Sequence, residues 1–233
     1  MLPGNHDNRT GNDVGSDSLY NEYFGPERYE ALENTAGWQE AQASYTPWRA
    51  DDNENYYDLF TAGGLDFIAV HLGYDVTQEE LEWASEVLDE YSDRNAMVMT
   101  HAHRRPSTEP DGRGAAFSHD GSRVDQGVLQ QHDNVFLVLS GHEHGVDIEV
   151  RQDVGTEGNH IVELLADYQF YEVSAEELGL TGIDQRNPDD MLRFGSSFFR
   201  MLQIDVVDGW SLLTGARRIL KSELPMTLTW KCS

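Results

Sequence analysis

Val135-Phe-Leu-Val-Leu-Ser-Gly-His-Glu-His144 is the stretch that decides how this chain is read. Its five consecutive apolar residues are too few for an ordinary helix. Bounded by polar residues, they match a strand buried on both faces, as the inner strands of a parallel sheet are. Gly141 then breaks the run, and two histidines follow at positions 142 and 144. On a turning backbone, imidazoles at that spacing converge on one centre or on two adjacent ones. The stretch therefore predicts a buried strand that delivers histidines from its carboxyl end.

Working outward, Asn95 to Thr100 (NAMVMT) is a second short buried strand, and it too ends on a histidine, His101. Val124 to Gln131 reads as a short helix between the two. Upstream, Thr77-Gln78-Glu79-Glu80 is a capping box, in which hydroxyl and glutamate satisfy each other's backbone N–H groups. Behind it Leu81, Ala84, Val87, Leu88 and Tyr91 share one helical face. Tyr56 to Thr61 and Leu65 to His71 flank Ala62-Gly63-Gly64, a hairpin signal, and Ser18 to Phe24 reads as a short helix stopped by Gly25-Pro26. Strand–helix–strand alternation of this kind predicts an α/β fold. In open α/β sheets ligands bind at the carboxyl ends of the strands, which is where the histidines fall.

After Gly145 the pattern changes. Val146 to Arg151, His160 to Leu165, Phe198 to Val206 and Trp210 to Leu220 read as strands of a mostly antiparallel region. The polar stretch 171–195, with a second capping box from Ser174 to Glu177, reads as an inserted loop. One domain over residues 1–233 is the expectation, since 233 residues with 39% hydrophobic content can bury a sizeable core.

The formal net charge of −26 excludes nucleic-acid backbones and anionic membrane surfaces as principal partners, because both need basic patches. Its self-repulsion would be relieved by screening in a high-salt milieu. The longest apolar runs, Phe67 to Val70 and Val135 to Leu139, are far too short to span a bilayer. No charged-then-apolar leader opens the chain, and both export and a cytoplasmic home stay open, as does the oligomeric state. Cys232 is the single cysteine, so an internal disulfide and a thiolate metal site are both excluded. Any bound metal must use His, Asn, Asp or Glu, which favours harder or borderline ions. The acidic run Asp51 to Asp58 lacks the central glycine and terminal glutamate of the helix–loop–helix calcium loop, and that loop is rejected.

Gly4-Asn5-His6-Asp7, then Thr100-His101, then Gly141-His142-Glu143-His144, in that order, resembles the latter half of the signature of the calcineurin-like metallophosphoesterase superfamily. Leu164 to Gln169 followed by the Phe198 to Val206 strand is similar to a bacterial branch of it. The resemblance implies a layered α/β/β/α sandwich, here truncated at its amino end. It also implies a phosphoester hydrolase (phosphatase or phosphodiesterase) with two divalent or trivalent ions of the Mn, Fe or Zn class, a metal-bound hydroxide, and a small phosphoester substrate. Carried over residue by residue, Asn5, His101 and His142 would bind the second metal and His144 the first. His6 would act as general acid or as donor to a phosphoryl oxygen, with Asp7 orienting it. His103 and Arg104 follow His101 directly and are placed to bind substrate phosphate, an anion that arginine forks suit.

The superfamily signature opens with an Asp-x-His and a Gly-Asp segment ahead of Gly-Asn-His, and neither precedes Gly4 here. The expectation is therefore a carboxy-terminal portion whose first metal is short of ligands and whose own turnover is crippled. The competing expectation, of another class, is a metal-binding or interaction module without turnover.

Overall fold

The computed structural model of the protein describes residues 1–9, 13–170, 172–176, 189, 191–193, 200–205, 211–216 and 224–228. The chain divides into two compact units, Met1–Leu165 and Ala166–Ser233.

A seven-stranded sheet runs through residues 44–167. Its strands are β1 (Ser44–Arg49), β2 (Asp52–Ala62), β3 (Leu65–Leu72), β4 (Asn95–Thr100), β5 (Val135–Ser140), β6 (Gly145–Arg151) and β7 (Ile161–Asp167). They lie side by side in the order β1-β2-β3-β4-β5-β7-β6. β1 with β2 and β2 with β3 are antiparallel, the second pair closing on Ala62↔Leu65 through Gly63 and Gly64, both at positive φ. β3, β4, β5 and β7 are mutually parallel. The crossovers between them carry α4 (Gln78–Glu90) and α5 (His119–Gly127), while three short helices, α1 (Leu19–Phe24), α2 (Pro26–Glu30) and α3 (Ala36–Glu40), precede the sheet. This is the mixed α/β architecture that the sequence predicts.

Alternation along each strand explains the layering. Ile68, Val70 and Leu72 of β3 and Ala96 and Val98 of β4 share one face. They pack with Leu81, Ala84 and Leu88 of α4 and Val124 of α5 in one buried cluster. On the opposite face Phe67 stacks on Phe60 and meets Phe136 edge-on. α4 begins where its capping box says: Thr77 accepts from the Glu80 N–H, and Glu80 reaches back to the Thr77 N–H.

The elements differ from the sequence reading at two places. α5 starts at His119, five residues before Val124, because Ser118 caps it by accepting from the Gly121 N–H; the polar first turn hid it. β7 pairs parallel with β5, while the other described strand pairs after Gly145 are antiparallel, as expected. β1 escaped notice because Pro47 interrupts its pattern, which an edge strand tolerates.

In the second unit, β8 (Glu172–Ser174) pairs antiparallel with β9 (Met191–Arg193). A three-stranded antiparallel sheet joins β10 (Arg200–Asp205), β11 (Ser211–Ala216) and β12 (Leu224–Leu228). The expected insertion at 171–195 lies largely outside the described residues, as does Glu177 of the second capping box. Among the described residues no helix is long and apolar enough to cross a membrane.

Candidate metal centre

Parallel pairing brings the carboxyl ends of β3, β4 and β5 to one edge of the sheet. Tyr74 follows β3, His101 follows β4, and Gly141-His142 follows β5. The Gly141 N–H donates to the His101 carbonyl at 3.1 Å, so the two exit loops are stitched together at the histidines. His142 is the centre of a three-residue turn, closed by the Glu143 N–H donating to the Gly141 carbonyl at 2.8 Å. Its φ of 65° is in the left-handed region, which costs an L-residue roughly 1–2 kcal/mol. Strain of this kind collects at functional sites, where the surrounding structure enforces it.

The result is convergence. His101 Nε2 lies 3.1 Å from Asn5 Oδ1 and 3.1 Å from His142 Nδ1. Three chain segments, separated by 96 and 41 residues, present one amide oxygen and two imidazole nitrogens to one another. A single proton on Nε2 serves only one of the two neighbours well, so lone pairs are left facing the same gap. Two nitrogens that bind one ion at about 2.0–2.1 Å stand roughly 2.8–3.4 Å apart between octahedral and tetrahedral angles. The observed 3.1 Å falls in that window, and the donor set suits a borderline divalent ion. All three side chains are half-buried, open on one side to solvent.

The loop from Gly4 to Asp7 is a tight turn. The Asp7 N–H donates to the Gly4 carbonyl at 2.9 Å, and Asp7 Oδ2 accepts from the Gly4 N–H at 2.8 Å. Asp7, expected to orient His6, thus spends one carboxylate oxygen on closing this turn. His6 and Asp7 are both exposed, and His144 is exposed at the turn before β6. Gly4 is required by close approach: a Cβ there would stand 2.7 Å from His101 Cε1.

His103 and Arg104, expected at the substrate phosphate, point inward instead. His103 is 0% and Arg104 4% exposed. Arg104 Nε donates to Asp147 at 2.8 Å, and Nη1 stands 3.3 Å from Glu163. His103 Nε2 is 3.4 Å from Glu163, which also accepts from Arg151 at 2.9 Å. Both guanidinium groups cover the Phe117 ring, at 4.8 and 5.1 Å. Burial alone would push the Glu163 carboxyl up, but the close approach of His103 and the hydrogen bond and charge of Arg151 outweigh it and hold the group below its ordinary range.

Two features escaped the sequence reading. Tyr74 packs against both imidazoles, edge-on to His101 at 5.5 Å and tilted on His142 at 4.9 Å. Its place after β3, a parallel neighbour of β4, was the available signal. A second group, unconnected with the histidines, is formed by the carboxylates of Asp13, Asp52 and Glu54, with oxygens within 4.8 Å of one another. Burial first, then the charges of Glu80, Asp52 and Asp13, push the Glu54 carboxyl up to about 8.

A sequence model of the calcineurin-like phosphoesterase family matches residues 1–146, a span that holds every residue of the imidazole cluster. The chain is also 30% identical over 173 residues to the "Uncharacterized protein YvnB" of Bacillus subtilis (strain 168). That alignment covers 72% of this chain and 12% of the relative's length.

Proposed function

Because this chain belongs to the calcineurin-like phosphoesterase family, we propose that it carries part of a two-metal site that hydrolyses small, soluble phosphoesters. The observation that supports this best is the pair of 3.1 Å approaches that His101 Nε2 makes to Asn5 Oδ1 and His142 Nδ1. In this reading Asn5, His101 and His142 hold one ion and His144 contributes to the other. Ions of the Mn, Fe or Zn class supply, when bound, an activated water and charge neutralisation at the phosphoryl oxygens.

The chain's own residues have separate tasks. His6, exposed on the turn that carries Asn5, donates a proton to the leaving oxygen or a hydrogen bond to a phosphoryl oxygen, with Asp7 keeping the turn in shape. Tyr74 fixes the orientation of both rings from the side. Buried Arg104 and His103 act from beneath, bracing the loop that carries His101. Net charge of −26 disfavours long polyanions and leaves small phosphoesters as the substrate class.

The test is turnover of phosphomonoester and phosphodiester substrates by the full-length protein supplied with manganese, iron or zinc. Replacing His142 or Asn5 with alanine is expected to abolish it; unchanged turnover in either variant overturns the assignment. Calorimetric metal binding without hydrolysis of any phosphoester would favour the non-catalytic module instead.

A further inference from the structure

The chain between His101 and α5 folds back on itself. The Ser118 N–H donates to the His103 carbonyl at 2.8 Å and the Arg105 N–H to the Ala116 carbonyl at 2.9 Å, so residues 103–105 and 116–118 form a short stem. The loop that this stem closes lies along β6, the last strand in the sheet order. The Ser107 N–H donates to the Val146 carbonyl at 3.0 Å, and the Ile148 N–H donates to the Gly112 carbonyl at 2.7 Å. The Gly114 N–H reaches Glu149 Oε2 at 3.1 Å. A free sheet edge would present unpaired backbone groups to solvent, and these bonds cover that edge. Pro106 abuts Gly145, where an added Cβ would stand 2.6 Å from the proline Cβ.

One side-chain pair pins the arrangement from within. Arg104 Nε donates to Asp147 Oδ2 at 2.8 Å, and Asp147 is 0% exposed. The other Asp147 oxygen is buried without a hydrogen bond, and among the described residues Arg104 is the only cation that forms an ion pair with this carboxylate. A buried pair of this kind costs desolvation and contributes little net stability. What it does is specify register. Shifting β6 by one residue would turn Asp147 to the opposite face and leave its charge uncompensated. The spacing then matters: Arg104 lies three residues after His101, and Asp147 lies three residues after His144. Holding Arg104 and Asp147 together restricts where the two histidine-bearing turns stand.

We infer that Arg104 and Asp147 are a positioning pair which, with the loop 105–114 laid along β6, sets where His144 stands relative to His101 and His142. Both residues are buried and act through the backbone ahead of them. The Gly141 N–H bond to the His101 carbonyl already ties His142 to His101. The loop and the ion pair extend that hold to His144, which is exposed at the start of β6. Two-metal sites keep their ions about 3.5–4 Å apart, which leaves little slack for a ligand that wanders. The consequence for metal spacing rests on the two-metal reading above, while the clamp on β6 stands on the geometry alone.

The experiment uses the full-length protein and the joint replacement of Arg104→Met with Asp147→Leu. This removes both charges together and leaves Glu163 its contacts with His103 and Arg151. Apolar replacement of a whole buried pair is ordinarily neutral or better for folding, so the double variant is expected to melt close to the parent. In metal-free protein the Ser107 and Ile148 amides, which bond across to β6 and the loop, are expected to lose protection from hydrogen exchange. Manganese titration, followed by calorimetry and by the paramagnetic resonance of paired ions, is expected to show one ion weakened about 10–100-fold, the other kept, and the paired signal lost. Gly145→Ala, which pushes Pro106 away from β6, is expected to act in the same direction and decides the matter if the double variant does not fold. Unchanged protection at both amides overturns the clamp. Manganese affinity and pairing unchanged in a variant that has lost protection or melts lower makes the pair structural only and overturns the positioning role. A parent protein that binds no manganese removes the two-metal reading, and exchange in the metal-free protein then decides the clamp by itself.

Discussion

His101 Nε2 and His142 Nδ1 stand 3.1 Å apart although 41 residues separate them in sequence. Parallel pairing of β4 with β5 sets the two exit loops side by side, and the Gly141 N–H bond to the His101 carbonyl fixes their register. A hydrogen bond between two imidazoles needs one ring protonated at the contact, whereas shared coordination needs both nitrogens bare. Metal titration separates the two. Binding of manganese or zinc is expected to release protons, and His142→Ala is expected to weaken it by more than about tenfold, the scale on which metal sites respond to lost partners. Metal affinity unchanged in that variant would show that the contact is only a hydrogen bond.

Gly4→Ala tests the same cluster from the other side. The new Cβ would lie 2.7 Å from Cε1 of the His101 ring. A ring on an exit loop yields more readily than backbone, so the expected result is a displaced imidazole in a folded protein. Metal affinity should fall while the urea midpoint moves little. Wild-type metal affinity in Gly4→Ala would mean that His101 has slack the packing does not show.

The imidazole cluster was legible because each of its members sits next to a local signal. Val135 to Leu139 and Asn95 to Thr100 are short buried runs whose ends need no tertiary knowledge, Gly141 marks where the chain leaves its strand, and Gly4 opens a turn. Tyr74 and the Asp13–Asp52–Glu54 group were not legible in this way. Their meaning lies in strand order: β2 doubling back along β3 brings Glu54 beside Gly73, and no periodicity states that. The inward turn of His103 and Arg104 was hidden for the same reason. Their partners Asp147 and Glu163 lie on β6 and β7, more than 40 residues on, and an arginine beside a histidine ligand reads equally well as a phosphate contact.

Glu163 is 0% exposed and faces Arg104, Arg151 and His103. Removing one member of a buried ionic network leaves the others uncompensated, which typically costs about 3–5 kcal/mol. Glu163→Gln is expected to lower the unfolding free energy by an amount of that order, near the lower end because Arg104 keeps Asp147 and Arg151 keeps Asp125. Denaturant titration reads it directly. A loss below about 1 kcal/mol, the value of an ordinary surface pair, would mean that the network is open to water.

Acid should unfold the chain in two stages, for reasons that lie in two histidines and one glutamate. Burial is the main influence on His71, stacked on Tyr56, and on His132, held 2.6 Å from Ser85 Oγ; it lowers both below the ordinary 6.5, against the opposing pull of Asp58 and of Asp89 with Asp133. A depressed folded value means that the unfolded chain binds more protons, so stability rises with pH across the window between the two values. These two contributions are therefore complete above about pH 6.5 and are lost as the pH falls through the lowered folded values, each by up to about 1.4 kcal/mol per pH unit. Glu163, also depressed relative to 4.5, adds stability that is complete above that value and is lost only below it. Glu54, whose raised carboxyl gains stability as the pH falls from about 8 toward 4.5, opposes the first loss, so the two stages are read in Glu54→Gln, whose melting temperature is expected to fall as the pH drops below about 6.5 and again below about 4.5. Replacing His132 with glutamine, which retains a donor and an acceptor for Ser85, should shrink the first step to the share carried by His71 and leave the second. A first step of undiminished size in that variant would show that His132 does not carry it.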